Sequence, residues 1–216
     1  MSTCCSTDIT INAYTDEQKK GLEYIAKMLK DQWLTSSIES PKGWLGHIII
    51  NSGIGVYRDG FVYDKKGTKI GCRGHICSYD WNGEQLTISD DDANGPYINM
   101  WARIRDKYAS GAELIYSAQV DCADIRTNDV TLTGLYFIDI WDNNSTTEAG
   151  KKLSCDTYFE LPKEKAIKML NDYFNTTFDD IESVRELAED SDDLALHEYI
   201  YDDTDEECLA LNNAAN

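Results

Sequence analysis

Cys72, His75 and Cys77 form a C-x2-H-x-C cluster, and Cys122 or Cys155 could supply a fourth soft ligand. Structural zinc is tetrahedral and is usually held by two C-x2-C-type pairs, so this spacing fits poorly. Cysteine buried as a small hydrophobe is much commoner, and no cofactor is expected. Asp90-Asp91-Asp92 could hold a divalent metal for hydrolase or nuclease chemistry together with Asp121, Asp124 or Asp129. Three adjacent acids without the EF-hand Gly and Glu read more economically as a solvated turn ahead of a helix. Nucleophilic catalysis needs a base beside a Ser, Cys or Thr, and only His47, His75 and His197 could supply one. No G-x-S-x-G elbow is present, and Gly53-Ile54-Gly55 lacks the further Gly, Lys and Ser/Thr of a phosphate loop. No residue is therefore assigned a catalytic role, and the chain is read as a non-enzyme.

Charge is more informative. The 216 residues carry 39 acidic and 20 basic side chains, a net charge of -19. From Asn171 onward there are fifteen acids and one base, Arg185, whereas the first 170 residues carry a net charge of only -5. An acidic field of this kind repels phosphates, so direct nucleic-acid binding through the C-terminal quarter is not expected, and its partner should be basic. His197 lies among these acids, which would favour its protonated form. The basic residues Arg58, Lys65, Lys66, Lys69 and Arg73 cluster instead with Tyr57, Phe61 and Tyr63.

The elements that must position these groups are legible from periodicity. Ile9, Ile11 and Ala13 alternate along a first strand, and Thr15 with Gln18 makes a capping box for a helix whose stripe is Leu22, Ile25, Ala26, Leu29 and Trp33. Residues 44–72, with the apolar run His47 to Ile50 and an Asp59-Gly60 turn, read as an inserted hairpin. Asn82-Gly83 joins strands at His75–Trp81 and Glu84–Ser89, tolerating positive φ at both turn positions. Pro96 opens a helix with Tyr97, Met100, Trp101, Ile104 and Tyr108 on one stripe, Gly111 ends it, and a strand follows at 113–119. Further strands are expected at 132–141 and 155–161. Helices then follow from Lys163 and from Thr177, the latter with Asp180 in capping-box position.

The order strand, helix, strand, hairpin, strand, helix, strand is that of a split βαβ, the ferredoxin-like α+β fold with a hairpin inserted after the first helix: an antiparallel sheet with two helices on one face. The expected organisation is a ferredoxin-like domain over 1–161 with the hairpin inserted at about 44–72, then an acidic helical extension and tail over 162–216. No apolar run spans a membrane, and residues 1–6 have neither the basic nor the apolar region of a secretory signal, so the expected location is the cytoplasm of a bacterial host cell.

The segment from His75 to Asp129 contains Tyr79-Asp80-Trp81, Pro96 through Trp101, Lys107-Tyr108, Ile115-Tyr116-Ser117-Ala118 and Thr127-Asn128-Asp129. In these residues it resembles the second half of the YubB-type ferredoxin-like family of plasmid and phage proteins. The resemblance covers about a quarter of the chain and implies a mobile-element setting and a ferredoxin-like fold, but no catalytic residue. Gln119-Val120-Asp121-Cys122 departs from the family's pattern.

The function expected from this pattern is that of a nucleic-acid mimic. Asp179, Asp180, Glu182, Glu186, Glu189, Asp190, Asp192 and Asp193 would form a charged face, with Tyr199 and Tyr201 as anchors. The partner would be the basic nucleic-acid-binding surface of a host defence effector, such as a CRISPR or restriction nuclease, which the chain would inhibit. The alternatives are a metal-dependent carboxylate hydrolase or nuclease, and an accessory module with a solubilising tail.

Overall fold

The computed structural model describes residues 4–31, 35–93, 95–121 and 123–202. The fold is mixed α+β, with mostly antiparallel strands and, among the described residues, five α-helices. Two compact units divide the chain after residue 122, the second being Ala123–Tyr201. The boundary expected at 161/162 falls inside that second unit.

The first unit contains β1 (Cys4–Asn12), α1 (Asp16–Asp31), α2 (Leu45–Asn51), β2 (Gly55–Arg58), β3 (Phe61–Asp64), β4 (Lys69–Ile70), β5 (Gly74–Trp81), β6 (Gln85–Ala93), α3 (Ile98–Tyr108) and β7 (Glu113–Val120). Its main sheet has the order β7-β1-β6-β5, antiparallel throughout. Strand alternation turns Cys5, Thr7, Ile9 and Ile11 of β1, and Leu86, Ile88, Asp90 and Asp92 of β6, toward one buried side. Leu22, Ile25 and Leu29 of α1 and Met100, Trp101 and Ile104 of α3 share that core. The capping box of α1 forms, with the Gln18 amide donating to Thr15 Oγ1 at 3.2 Å and the Thr15 amide donating to Gln18 Oε1 at 3.1 Å.

Helices α1 and α3 approach closely at Gly21, where an added Cβ would lie 2.0 Å from the Tyr108 carbonyl oxygen. That neighbour is backbone and cannot swing aside. Gly21→Ala is therefore expected to lower stability by about 1–3 kcal/mol despite alanine's better helix propensity, as measured by denaturant titration.

The 44–72 excursion differs in part from its expected form. The apolar run His47 to Ile50 lies in helix α2, not in a strand, and His47, Ile48 and Ile49 are buried. A short apolar run does not distinguish the two by periodicity. The hairpin itself is β2 and β3, turning at Asp59 and Gly60 with φ of 51° and 85°. At the Asn82-Gly83 turn only Gly83 takes positive φ (103°); the Asn82 side chain instead accepts the amides of Glu84 and Gln85.

The second unit contains β8 (Ile125–Thr127), β9 (Tyr136–Ile140), β10 (Thr157–Leu161), α4 (Lys163–Phe174), α5 (Ile181–Glu189) and β11 (Leu194–Tyr201). Its strands lie in the order β10-β9-β11-β8, with β11 parallel to β8 and antiparallel to β9. The expected helical extension is thus corrected: helices α4 and α5 pack with Tyr136, Ile138, Ile140, Leu194 and Leu196 in one core, and β11 is an interior strand. The strand expected at 132–141 begins only at Tyr136, because 131–134 form a turn that ends at Gly134 with φ of 78°.

Candidate functional site

Helix α5 presents the acidic face. Ile181, Val184 and Ala188 are buried on one side, and Glu182, Glu186, Glu189 and Asp190 recur at helical spacing on the exposed side. Its N-cap is Asp180, not Thr177: the Asp180 carboxylate accepts the Ser183 amide at 2.8 Å and the Ser183 hydroxyl at 2.9 Å. These bonds hold its carboxyl below the usual Asp range. Asp179 and Asp192 extend the exposed run on either side.

Arg185, the one base of the C-terminal quarter, does not offset this face. It bonds Asp124 Oδ1 at 3.0 Å and Glu198 Oε2 at 3.2 Å, and Asp124 also accepts the Glu198 amide. Among the described residues, none of Asp179, Asp180, Glu182, Glu186, Glu189, Asp190, Asp192 or Asp193 pairs with a Lys or Arg. The Ala123–Tyr201 unit holds 18 acids and 7 bases, so most of the chain's negative charge belongs to it.

Two expected members of the face, and the neighbouring His197, have other places. Tyr199 is buried on β11, only 6% exposed, and cannot anchor a partner. Asp193 is half-buried and accepts from the Asn144 side chain at 2.8 Å and the Tyr173 hydroxyl at 3.3 Å. His197 is buried against Phe137, so desolvation lowers its pKa from the ordinary value; Asp124 and Asp139 only partly oppose this. The neutral imidazole is therefore favoured, contrary to the expectation from its acidic sequence context. Tyr201 is exposed, as is Ile200. The tail acids beyond Asp202 lie outside the described residues.

The Asp90-Asp91-Asp92 run is not a solvated loop but the end of strand β6, in register with Thr7, Ser6 and Cys5 of β1. Asp90 and Asp92 face the core and are 1% and 3% exposed, while Asp91 points outward and accepts from the Cys77 thiol at 3.2 Å. Trp101 Nε1 donates to Asp90 Oδ2 at 2.7 Å, and the Tyr97 amide and Thr7 hydroxyl donate to Asp92 Oδ2. The Oδ1 atoms of both residues are buried without a donor. Desolvation, reinforced at Asp92 by the neighbouring Asp90, pushes the two pKa values up to about 7 and about 8. Burial without a donor at either Oδ1 disfavours the ionised form of both carboxyls. Sequence reasoning missed this pair, although Asp90 and Asp92 continue the parity of Leu86 and Ile88.

Cys72 is buried while His75 and Cys77 are exposed on β5; desolvation, joined at Cys77 by the Asp91 carboxylate its thiol donates to, pushes both thiols up to about 11. Among the described residues no group of three or more His, Cys, Asp or Glu side chains is placed to hold a metal ion; Cys122 lies outside them. Asp121 accepts the Cys4 amide, Asp124 pairs with Arg185, and Asp129 closes the turn to Thr131. His47 bonds the Ser36 hydroxyl and the Pro41 carbonyl inside the first unit.

No family model matches the chain, and no curated protein or solved structure matches it either. Among the described residues no helix is long and apolar enough to cross a membrane.

Proposed function

We propose that this is a protein-binding inhibitor of the kind carried by phages and other mobile elements, whose acidic second unit occupies a basic nucleic-acid-binding surface of a host defence nuclease. The observation that carries the reading is the face of α5, whose carboxylates are exposed and, among the described residues, ion-paired with no Lys or Arg, while Arg185 bonds Asp124 and Glu198. A groove built for phosphates is lined by Lys and Arg. Carboxylates repeated along a rigid helix can occupy such a groove, and long-range attraction speeds association. Tyr201 and Ile200, exposed on β11, and Phe178, exposed beside Asp179, are among the apolar side chains of this unit that can slow release.

The first unit is read as a ferredoxin-like module, as the YubB-type resemblance implies. Support comes from the order β7-β1-β6-β5, in which β1 and β5 are separated by β6 and both crossover helices, α1 and α3, share one core. Its role in this reading is to carry the acidic unit.

Binding of this kind should depend steeply on salt. Immobilised chain is expected to retain its partner from a bacterial lysate at 50 mM NaCl and release most of it at 500 mM, where the screening length falls to a few ångström. A partner retained equally at both concentrations would contradict a charge-driven interface.

A further inference from the structure

The β2-β3-β4 sheet has two chemically different faces. Val62 and Ile70, paired across β3 and β4, are buried, and Ile49 of α2 closes on Gly55 from that side. On the opposite face the register pairs Val56 with Tyr63, Arg58 with Phe61, and Tyr63 with Lys69. Alternation therefore brings Val56, Arg58, Phe61, Tyr63 and Lys69 together on one surface. Val56 is 60% exposed and Phe61 45%. The Lys69 ammonium sits 3.3 Å from the Phe61 ring centre, and the Arg58 guanidinium sits 4.7 Å from that of Tyr63.

Charge on this segment runs against the rest of the chain. Residues 55–73 hold five bases and two acids. One of the acids, Asp64, is occupied by Arg103 at 3.1 Å and by the amides of Lys66 and Thr68. Among the described residues Arg58 and Lys69 pair with no carboxylate, and each lies over an aromatic ring. At 0.1 M salt the screening length is about 10 Å, so a strand in contact with this face experiences its local positive charge more than the net charge of the molecule.

We propose that the exposed face of the β2-β3-β4 sheet binds single-stranded nucleic acid, with bases stacked on Phe61 and Tyr63 and phosphates held by Arg58 and Lys69. The two rings stand at i and i+2 on one strand, so they present successive stacking platforms on one side. An arriving base takes the place of the Lys69 ammonium over Phe61, and the freed ammonium meets the adjoining phosphate. A duplex keeps its bases within its own stack and offers only phosphates, so it should bind this face more weakly. The surface is distinct from the acidic face of α5 and does not depend on the inhibitor reading.

The test is fluorescence anisotropy of the full chain with a labelled 20-nucleotide oligothymidine at 0.1 M NaCl. Binding is expected, weakened about tenfold or more in Phe61→Leu, which keeps apolar volume but removes the π face, and by a similar factor in Tyr63→Leu. Arg58→Gln with Lys69→Gln should also reduce the salt slope. Circular dichroism melts establish that each variant is folded, and a destabilising substitution is replaced by Phe61→Tyr, for which near-native affinity is expected. The proposal is overturned if the wild-type chain does not bind, or if folded Phe61→Leu binds as tightly as wild type. It is equally overturned if duplex DNA or polyglutamate of matched charge competes as well as oligothymidine, since the face would then be a general polyanion or acidic-protein contact.

Discussion

Substituting Lys for Glu186, Glu189, Asp190 and Asp192 together is expected to weaken partner binding by on the order of 100-fold or more, with little change in the melting temperature. All four side chains are exposed, and none is ion-paired among the described residues, so the substitutions break no internal bridge. They also lie at the C-terminal end of α5, where cations suit the helix dipole better than anions do. Asp180 is left intact because it caps the helix, and Asp193 because it holds Asn144 and Tyr173. Each exposed charge contributes little alone, which is why a single reversal should have a modest effect and the set a large one. Titration calorimetry with the captured partner measures the loss. Native affinity in the folded quadruple variant would reduce the acidic helix to a solubilising surface.

The second large effect concerns the buried acid pair. In an unfolded chain Asp90 and Asp92 would titrate near 4, whereas in the fold they retain protons up to about 7 and about 8. Between these limits the folded state binds more protons than the unfolded state, so the pair's contribution to stability falls as pH rises and is lowest once both carboxyls are ionised. Asp92→Asn removes one of the two charges. Its amide can donate toward Asp90, while its oxygen still accepts from Thr7 and the Tyr97 amide. The variant is expected to match wild type near pH 5 and to exceed it by about 2 kcal/mol or more near pH 8.5. Asp91→Asn, on the outward face, should leave the pH dependence nearly unchanged. Urea denaturation of the three proteins from pH 5 to 8.5 provides the comparison, and a wild-type stability that does not fall relative to Asp92→Asn would exclude the raised pKa values of the pair.

Elements with strong local signals were legible in the sequence. The capping box at Thr15 and Gln18, the Asp59-Gly60 turn, Pro96 ahead of α3 and the apolar stripe of α4 each combine a periodic face with its own start or stop residue. Three features were hidden for different reasons. The run around His47 to Ile50 is buried on nearly all sides in α2, which erases helical periodicity. Strand β11 lies between acid clusters, and Glu198 interrupts its alternation while serving Arg185. The end of β6 carries residues of low strand propensity, held there by pairing with β1 and by donors from Trp101 and Tyr97. Within the candidate face Glu182, Glu186 and Glu189 are exposed at helical spacing, but no local signal told that Tyr199 is buried on β11.

The central claim is that the α5 face takes the place of nucleic acid on a basic partner, and competition tests it most directly. Partner captured at low salt is loaded with labelled duplex DNA, and the chain is titrated in. The expected result is complete displacement of the DNA by the wild-type chain and none by the quadruple Lys variant at the same concentrations. A stable ternary complex, with DNA affinity unchanged by saturating chain, would contradict the account.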